Sequence, residues 1–307
     1  MSQSSSEFAA HRLSGMKAGM KCRICDGATA VIGEKRGSFA RRDFTLRRCV
    51  ECRFAFVDNP WLDFAKIYDD DYYRGRGADP LVDYHFELTS PARTIRRYEW
   101  AGVVDVVRRL TAVDERTRWL DFGCGNGGLV RHAREVVKCD AVGFEEGTIA
   151  SDVRASGIPV LDADALASRT GSFDVVTAIE VLEHVVDPLE TLAKVRSLLR
   201  PGGLFFYTTG NARPFRDRLL EWSYFVPEIH ISLYEPESME RALIRTGFQP
   251  QFPGRVRGWD KIIAFKVLKN LRAKTLGPLD RIVPWRLASA VLGRRFGIYD
   301  FPVGWAS

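Results

Sequence analysis

Residues Trp119–Gly128 read WLDFGCGNGG, and this stretch decides the fold of the chain. A short apolar strand ends at Asp121, and Gly123, Gly125 and Gly127 then form a tight loop that leads into a helix. Glycines at such positions let the backbone bend sharply and approach a ligand closely, because a Cβ atom would clash there. The motif predicts a strand–loop–helix unit for a nucleoside-type ligand, and by itself it does not distinguish one such ligand from another.

Carboxylates also stand at the ends of the next two predicted strands. The segment AVGFE ends with Glu145, 24 residues after Asp121, where a carboxylate can accept hydrogen bonds from two ribose hydroxyls. In VLDADAL, Asp162 occupies the next strand end and can accept from an adenine amino group. An acidic residue placed before the glycines suits a ligand that carries an amino acid better than it suits a pyrophosphate.

Strands and helices alternate from Arg118 onward, which is typical of a mostly parallel sheet with helices on both faces. The predicted strands are Arg118–Phe122, Asp140–Phe144, Val160–Leu161, Phe173–Ile179 and Leu204–Thr209. The predicted helices are Pro91–Leu110, Gly127–Val137, Thr148–Ser156 and Pro188–Leu199. The fold class we predict is α/β, with a Rossmann-like, doubly wound and mostly parallel sheet.

The motifs between Arg118 and Phe248 follow the order LDFGCGNG, GFE, DADAL, FDVV, EVLEH and LRPGG. This order resembles the class I S-adenosylmethionine-dependent methyltransferases, and the resemblance implies a methyltransferase with that cofactor. It implies that the glycine loop lies under the methionine part, that Glu145 binds the ribose and that Asp162 flanks the adenine. The cofactor-binding residues implied in this way are Asp121, Gly123, Gly125, Gly127, Glu145, Asp162, Ala163 and Glu180.

Four of the six cysteines form two Cys-x2-Cys pairs near the amino terminus. The pairs are Cys22 with Cys25 and Cys49 with Cys52, with 23 residues between them. This spacing is the ligand pattern of a structural zinc site, in which four thiolates close the coordination sphere. The sequence therefore predicts a small zinc-ribbon-like module that folds around its metal, because it is too small to bury much apolar surface.

The cysteine module is followed by RFAFVDNP and then by Tyr68-x3-Tyr72-Tyr73. This arrangement is similar to the amino-terminal region of methyltransferases of sugar, polysaccharide and antibiotic pathways. The resemblance implies that the region packs over the Rossmann core and helps to cover the acceptor. The domain boundaries we predict are 1–20 disordered, 21–58 zinc module, 59–112 aromatic linker and helical cap, 113–265 methyltransferase domain and 266–307 basic carboxyl-terminal extension.

His184 is the candidate general base, because an imidazole titrates near neutral pH and the neighbouring Glu183 can hold its tautomer. Alternatively, His184 only packs the helix that starts there. A third interpretation joins both residues with Glu180 and His230 in a second divalent-metal site. That set is similar to the metal sites of small-RNA 2′-O-methyltransferases and of ubiquinone-pathway O-methyltransferases, in which the ion would act as a Lewis acid.

The net charge of +6 is concentrated in the last part of the chain. Residues 266–307 contain eight Lys or Arg residues and two Asp residues. Such a tail can hold a phospholipid surface, a nucleotide-linked substrate or nucleic acid, or it can be a solvated helix surface. The chain has no apolar run of about 18 residues, and its polar start lacks a secretory signal, so we expect a cytoplasmic protein.

Three functions are compatible with these motifs. The first is methyl transfer to oxygen or carbon of a small-molecule, sugar or glycan-pathway acceptor. The second is RNA methylation, since residues 1–48 contain ten Lys or Arg residues, although no aromatic residues alternate with them as in a nucleic-acid platform. The third is a non-catalytic protein that binds S-adenosylmethionine, which we would expect to have lost the glycines or Glu145; both are present.

Overall fold

The computed structural model describes residues 20–278 and 282–307, and it contains two β-sheets. The strands are β1 Thr29–Arg36, β2 Asp43–Cys49, β3 Ala55–Val57, β4 Arg118–Phe122, β5 Asp140–Phe144, β6 Val160–Leu161, β7 Phe173–Ile179, β8 Leu199–Thr208, β9 Ser232–Leu233, β10 Phe248–Gln251 and β11 Val303–Ala306. The smaller sheet has the order β1-β2-β3-β9, and the larger has the order β10-β11-β8-β7-β4-β5-β6.

The larger sheet confirms the predicted fold class. Its strands β8, β7, β4, β5 and β6 are mutually parallel. Asp121 on β4 lies opposite Gly143 and Thr177, and Phe144 on β5 lies opposite Leu161. Because the carboxyl ends of parallel strands meet at one edge, the residues that follow these strands converge there.

The helices are α1 Phe64–Ile67, α2 Asp70–Tyr73, α3 Tyr84–Thr89, α4 Arg97–Leu110, α5 Gly128–Val136, α6 Ala150–Ala155, α7 Ala163–Ala167, α8 Pro188–Leu198, α9 Pro236–Arg245, α10 Trp259–Asn270 and α11 Trp285–Arg295. Helix α4 buries Trp100, Val103 and Val107 and packs against α10. A Cβ atom on Gly102 would lie 2.7 Å from Cγ1 of Ile262, so glycine at this position lets the two helices approach closely.

The end of the chain differs from the predicted extension. Strand β11 pairs antiparallel with both β8 and β10, and it lies between them in the larger sheet. Part of segment 266–307 thereby belongs to the core sheet. The physical reason is that β11 satisfies backbone groups of two strands that would otherwise be unpaired. Helix α11 nevertheless exposes Arg286, Arg294 and Arg295, as expected of a basic surface.

The amino-terminal module packs against the rest of the protein. Strand β3 pairs with β9, which comes 175 residues after it, through Ala55 and Leu233. Phe54 lies 5.2 Å from Tyr234 between ring centroids, and both side chains are buried. The prediction of disorder for residues 1–20 falls on a segment of which only Met20 lies within the described residues.

Within residues 20–278 and 282–307, no helix combines the length and the apolar character needed to cross a bilayer.

Candidate active site

The glycine loop connects β4 to α5 at the carboxyl edge of the larger sheet. Gly123, Gly125 and Gly127 have φ angles of +75°, +50° and +68°, which favour glycine over residues with a Cβ atom. A Cβ atom on Gly127 would lie 2.7 Å from Val153, so close packing adds a second reason for glycine there. The loop is fixed to β5, because the amides of Gly123 and Cys124 donate to the carbonyl of Phe144.

A solvent-open cleft lies beside this loop. Its lining residues are Tyr84, Arg96, Glu99, Trp100, Val103, Asp121, Gly123, Cys124, Gly125, Asn126, Leu129 and Ile179. The cleft therefore combines the predicted Asp121 and glycine loop with polar residues from the helical cap.

Asp121 is buried at the bottom of this cleft. Its carboxylate accepts a hydrogen bond of 2.8 Å from Oγ1 of Thr177, which comes from the neighbouring strand. Burial raises the pKa of Asp121 to about 7, although the Thr177 hydroxyl acts in the opposite direction. Burial disfavours the ionised form of this carboxyl group. A cationic group of a bound ligand would stabilise that ionised form.

Glu145 follows β5 and is held against the glycine loop. Its two carboxylate oxygens accept from the amides of Gly125 at 2.9 Å and of Gly147 at 2.7 Å. The phenol of Tyr73, from the aromatic linker, donates to it at 3.4 Å. Burial raises the pKa of Glu145, and the two amides oppose that shift. The structure thus joins the predicted ribose-binding residue to the loop and to the linker.

Asp162 and Ala163 follow β6, directly beside Glu145 in register, since Phe144 lies opposite Leu161. The side chain of Asp162 is the N-cap of α7 and accepts from the amide of Ala165 at 2.8 Å. Both Asp162 and Ala163 are exposed. The predicted adenine-binding residues therefore lie at the expected edge, while one oxygen of Asp162 serves the helix.

Sequence reasoning missed a buried polar cluster on the helical cap. Arg96 donates to Glu87 at 2.7 Å and to Glu99 at 2.8 Å, and Asn126 of the glycine loop also donates to Glu87 at 2.6 Å. Arg96 and Glu99 are three residues apart, so a helical pattern places them on one face. The three-residue spacing of Arg96 and Glu99 within the predicted helix Pro91–Leu110 could have indicated this ion pair from the sequence.

One oxygen in this cluster has no partner. Oε1 of Glu99 is buried and accepts no hydrogen bond within the described parts of the chain, and Glu99 is only 2% exposed. The same residue lines the cleft beside the glycine loop. A free carboxylate oxygen and the guanidinium of Arg96 side by side suit a ligand that carries both an ammonium and a carboxylate.

Glu180 directly follows β7 and has an unusual backbone conformation, with φ of +55°. Its carboxylate pairs with Nζ of Lys266 at 2.6 Å, and both side chains are about a quarter exposed. Burial alone would raise the pKa of Glu180, but the Lys266 ammonium lowers it to about 2. Glu180, which the sequence predicts as a pocket residue, is therefore ionised at neutral pH. Its partner Lys266 comes from the segment that the sequence predicts as a basic extension.

Glu183 and His184 lie in a short turn, residues 182–186, which we call the His184 turn. Glu183 is buried, and its two oxygens accept from the hydroxyls of Thr209 and Tyr224. Nδ1 of His184 instead lies 2.9 Å from the phenol oxygen of Tyr68. The side chain that holds the His184 ring through Nδ1 is therefore Tyr68 of the linker, not the adjacent glutamate.

His184 and His230 form a pair of half-buried imidazoles with ring centroids 4.9 Å apart. Burial, with a further contribution from His230, lowers the pKa of His184 to about 4. Burial likewise lowers the pKa of His230 to about 4. Nδ1 of His230 bonds to the carbonyl of Tyr224, which only accepts, so that nitrogen carries the proton. Both rings are neutral at pH 7.

The predicted second metal site is assembled in part. Potential ligand atoms of Glu183, His184 and His230 lie within 4.8 Å of one another. Glu180, the fourth residue of the predicted set, is not in this group and binds Lys266 instead. Two neutral imidazoles and one carboxylate are a donor set that divalent metals accept.

The four predicted zinc ligands converge at the amino-terminal module. Sγ of Cys22 is 3.5 Å from that of Cys52, Sγ of Cys25 is 3.4 Å from that of Cys49, and all four lie within 4.8 Å of one another. Thiolates about 2.3 Å from one zinc ion are about 3.8 Å apart. Backbone amides of Glu51 and Cys52 point at Sγ of Cys49. The geometry fits a four-thiolate zinc site.

The family of the protein follows from comparison with known proteins. A family model described as a methyltransferase domain matches residues 92–251, which is 160 of the 307 residues. The chain therefore belongs to this family of methyltransferase domains.

Two curated relatives illustrate the similarity. A ubiquinone biosynthesis O-methyltransferase of Methylococcus capsulatus is 41% identical over 102 residues, which cover 30% of this chain and 43% of the relative. An enzyme of the same name from Rhizobium etli is 32% identical over 151 residues, covering 44% of this chain and 61% of the relative. The chain thus spans about half the length of the curated relatives that it matches.

Solved structures that match part of the chain include an S-adenosylmethionine-dependent methyltransferase from Mesorhizobium loti. It is 22% identical, with a TM-score of 0.40, over 50% of this chain and 84% of that one. The cyclopropane synthase MmaA2 from Mycobacterium tuberculosis is 18% identical, with a TM-score of 0.40, over 66% of this chain and 82% of that one.

Proposed function

We propose that this methyltransferase transfers a methyl group to a hydroxyl oxygen of a small molecule, with His184 as the general base. The observation that carries the proposal is the half-buried, neutral imidazole of His184, held by Tyr68 close to the carboxyl edge of the sheet. A neutral imidazole can accept the proton that the hydroxyl loses as its oxygen forms the new bond to carbon. When Nδ1 of His184 donates to Tyr68, its Nε2 is free to accept that proton.

The donor site proposed for S-adenosylmethionine uses residues from three strand ends and the helical cap. The glycine loop and Asp121 would hold the methionine part, together with Arg96 and Glu99. Glu145 would bind the ribose, and Asp162 with Ala163 would flank the adenine. The donor supplies an activated methyl group on its sulfonium, so the protein has to align the two reactants and remove a proton.

The names of the curated relatives support an oxygen acceptor of small size. A sugar or glycan-pathway hydroxyl is the finer prediction from the amino-terminal motifs. RNA is less well supported, because several of the basic residues of the module have internal partners. Lys35 donates to the carbonyls of Trp222 and Phe225, and Arg47 pairs with Asp58 at 2.7 Å. Cations that are engaged in this way are not available for a phosphate backbone.

A second candidate mechanism is metal-assisted transfer. The proximity of Glu183, His184 and His230 favours it, because a divalent ion on these groups would activate the acceptor hydroxyl as a Lewis acid. In this mechanism His184 is a ligand and not a base.

The two mechanisms separate in one experiment. The protein is incubated with labelled donor and a panel of phenols, nucleotide sugars, lipids and RNA, as wild type, His184→Gln and the control His132→Gln. We expect transfer to a small hydroxylated acceptor, reduced at least about 100-fold in His184→Gln only. Undiminished transfer in His184→Gln would remove the base. Loss of wild-type transfer in EDTA while zinc stays bound would favour the metal-assisted mechanism.

A further inference from the structure

The carbonyl groups of the His184 turn are held from outside the turn. The carbonyl of Leu182 accepts from the hydroxyl of Tyr234 at 2.9 Å, and that of Glu183 accepts from the amide of Ile231 at 2.8 Å. The carbonyl of Val185 accepts from the hydroxyl of Ser232 at 2.8 Å. All three donors belong to β9 or lie next to it, so the edge strand of the smaller sheet fixes the turn.

The fourth of these bonds comes from the cysteine module itself. Nη1 of Arg23 donates to the carbonyl of Val186 at 3.0 Å, and Nη2 donates to the carbonyl of Val57 at 3.3 Å. The guanidinium lies 4.5 Å from the centroid of the Phe56 ring. Arg23 lies in sequence between the proposed zinc ligands Cys22 and Cys25. The backbone conformation of this Cys-x2-Cys loop therefore determines the position of the Arg23 Cα atom.

The module also fixes β9. The amide of Cys49 donates to the carbonyl of Phe54 at 2.8 Å, and β3 begins at the next residue. Strand β3 then pairs with β9, with Phe56 opposite Ser232. Two routes thus lead from the cysteine cluster to the His184 turn, one through Arg23 and one through β3 and β9.

We propose that the zinc module is a positioning element for the His184 turn and that Arg23 is its positioning residue. This inference rests on the proposed function only for the catalytic meaning of His184, and not for the coupling itself. Small displacements of a catalytic group reduce the rate of a reaction strongly, since a misplacement of about 1 Å can lower the rate by about 100-fold. A module that lies outside the donor cleft can therefore set the activity without touching the donor.

The test compares Arg23→Met with Arg53→Met. Arg53 also directly follows a zinc ligand, Cys52, but it is exposed and has no hydrogen bond or ion pair within the described parts of the chain. The readouts are bound zinc by native mass spectrometry, the dissociation constant for S-adenosylmethionine, and the imidazole NMR signals of the five histidines. The His184 signal is assigned with His184→Gln.

We expect both variants to keep one zinc per chain and a donor dissociation constant within about twofold of wild type. Only Arg23→Met should shift or broaden the His184 signal and lower methyl transfer, by about tenfold, with Arg23→Lys partly restoring both. An unchanged His184 signal in Arg23→Met, or an equal change in Arg53→Met, would overturn the proposal.

The imidazole signal reports the position of His184 whether or not that residue is the base. If Arg23→Met moves the signal while His184→Gln retains full activity, the coupling holds and the proposed base fails. If His184→Gln is inactive and the His184 signal is unchanged in Arg23→Met, the proposed base is supported and the positioning role of Arg23 fails. The two proposals therefore fail in different ways.

Discussion

The phenol oxygen of Tyr68 lies 2.9 Å from Nδ1 of His184, across 116 residues of chain. The aromatic linker thereby reaches the candidate base directly. Its neighbour Tyr73 reaches Glu145 of the donor site in the same way, at 3.4 Å. The linker thus contacts both halves of the site.

Replacement of Tyr68 by Phe tests the first of these contacts. Tyr68→Phe keeps the ring but leaves the nitrogen of a half-buried imidazole without its partner, at a cost of about 1–3 kcal/mol. We expect methyl transfer to fall about tenfold, with donor affinity unchanged by calorimetry. Tyr72→Phe is the control, because no hydrogen bond of its hydroxyl occurs within the described residues. Equal activity of both variants would contradict the contact's role.

The pH dependence of methyl transfer should reflect the low pKa of His184. Burial lowers the pKa of His184 from 6.5 to about 4, so the base is unprotonated over most of the accessible range. At saturating S-adenosylmethionine, where the titration of Asp121 near pH 7 in the free site no longer limits the rate, we expect the transfer rate to rise with pH through about 4 and to be level above about pH 6. A rate that still rises between pH 6 and 8 with a midpoint near 6.5 would show that His184 is not buried in the working enzyme.

Stability should fall as the pH falls from about 6.5 to about 4. His184 and His230 have lower pKa values in the folded protein than in the unfolded chain, so the unfolded state binds more protons in this window. Their contribution is fully present above pH 6.5 and is lost toward pH 4. Urea unfolding of wild type and of the His184→Gln, His230→Gln double variant checks this. We expect a smaller loss of stability in the double variant, and an equal loss would contradict the assignment.

Glu99→Gln should weaken donor binding. The variant replaces the free carboxylate oxygen beside the glycine loop, which is proposed to face the ammonium of the methionine part. A charge-assisted hydrogen bond contributes about 1.5–3 kcal/mol, so we expect at least a tenfold higher dissociation constant for S-adenosylmethionine by calorimetry. The exposed Glu115→Gln is the control. A donor affinity equal to wild type in Glu99→Gln would exclude this contact.

Cys49→Ser should release zinc and unfold the amino-terminal module. The four Sγ atoms lie within 4.8 Å of one another and fit one zinc ion, and a module of this small size would depend on such an ion for its fold. We expect less than one zinc per chain by elemental analysis and a lower unfolding temperature. Cys139→Ser, which removes a buried cysteine outside the cluster, should retain zinc. Full zinc content in Cys49→Ser would contradict the four-thiolate site.

The core strands were predictable because their sequences are locally unambiguous. Arg118–Phe122, Asp140–Phe144, Val160–Leu161 and Phe173–Ile179 have the bounds that the sequence predicts. Strand β8 begins at Leu199 instead of Leu204, because Leu199 pairs with Phe173 at the start of β7 before the register shifts. Helix α4 begins at Arg97 and not at Pro91. Those boundaries depend on contacts with distant segments.

The sequence by itself determined the α/β class, the glycine loop at WLDFGCGNGG and the four cysteine ligands, since each depends on residue types at short, fixed spacings. Only the tertiary structure decided that Tyr68 holds His184, that Lys266 neutralises Glu180 and that β11 enters the sheet. The tertiary structure also places Glu99 of helix α4 in the lining of the cleft beside the glycine loop. These pairs are separated by tens to hundreds of residues. Their contacts depend on how whole helices and strands pack, which no local pattern encodes.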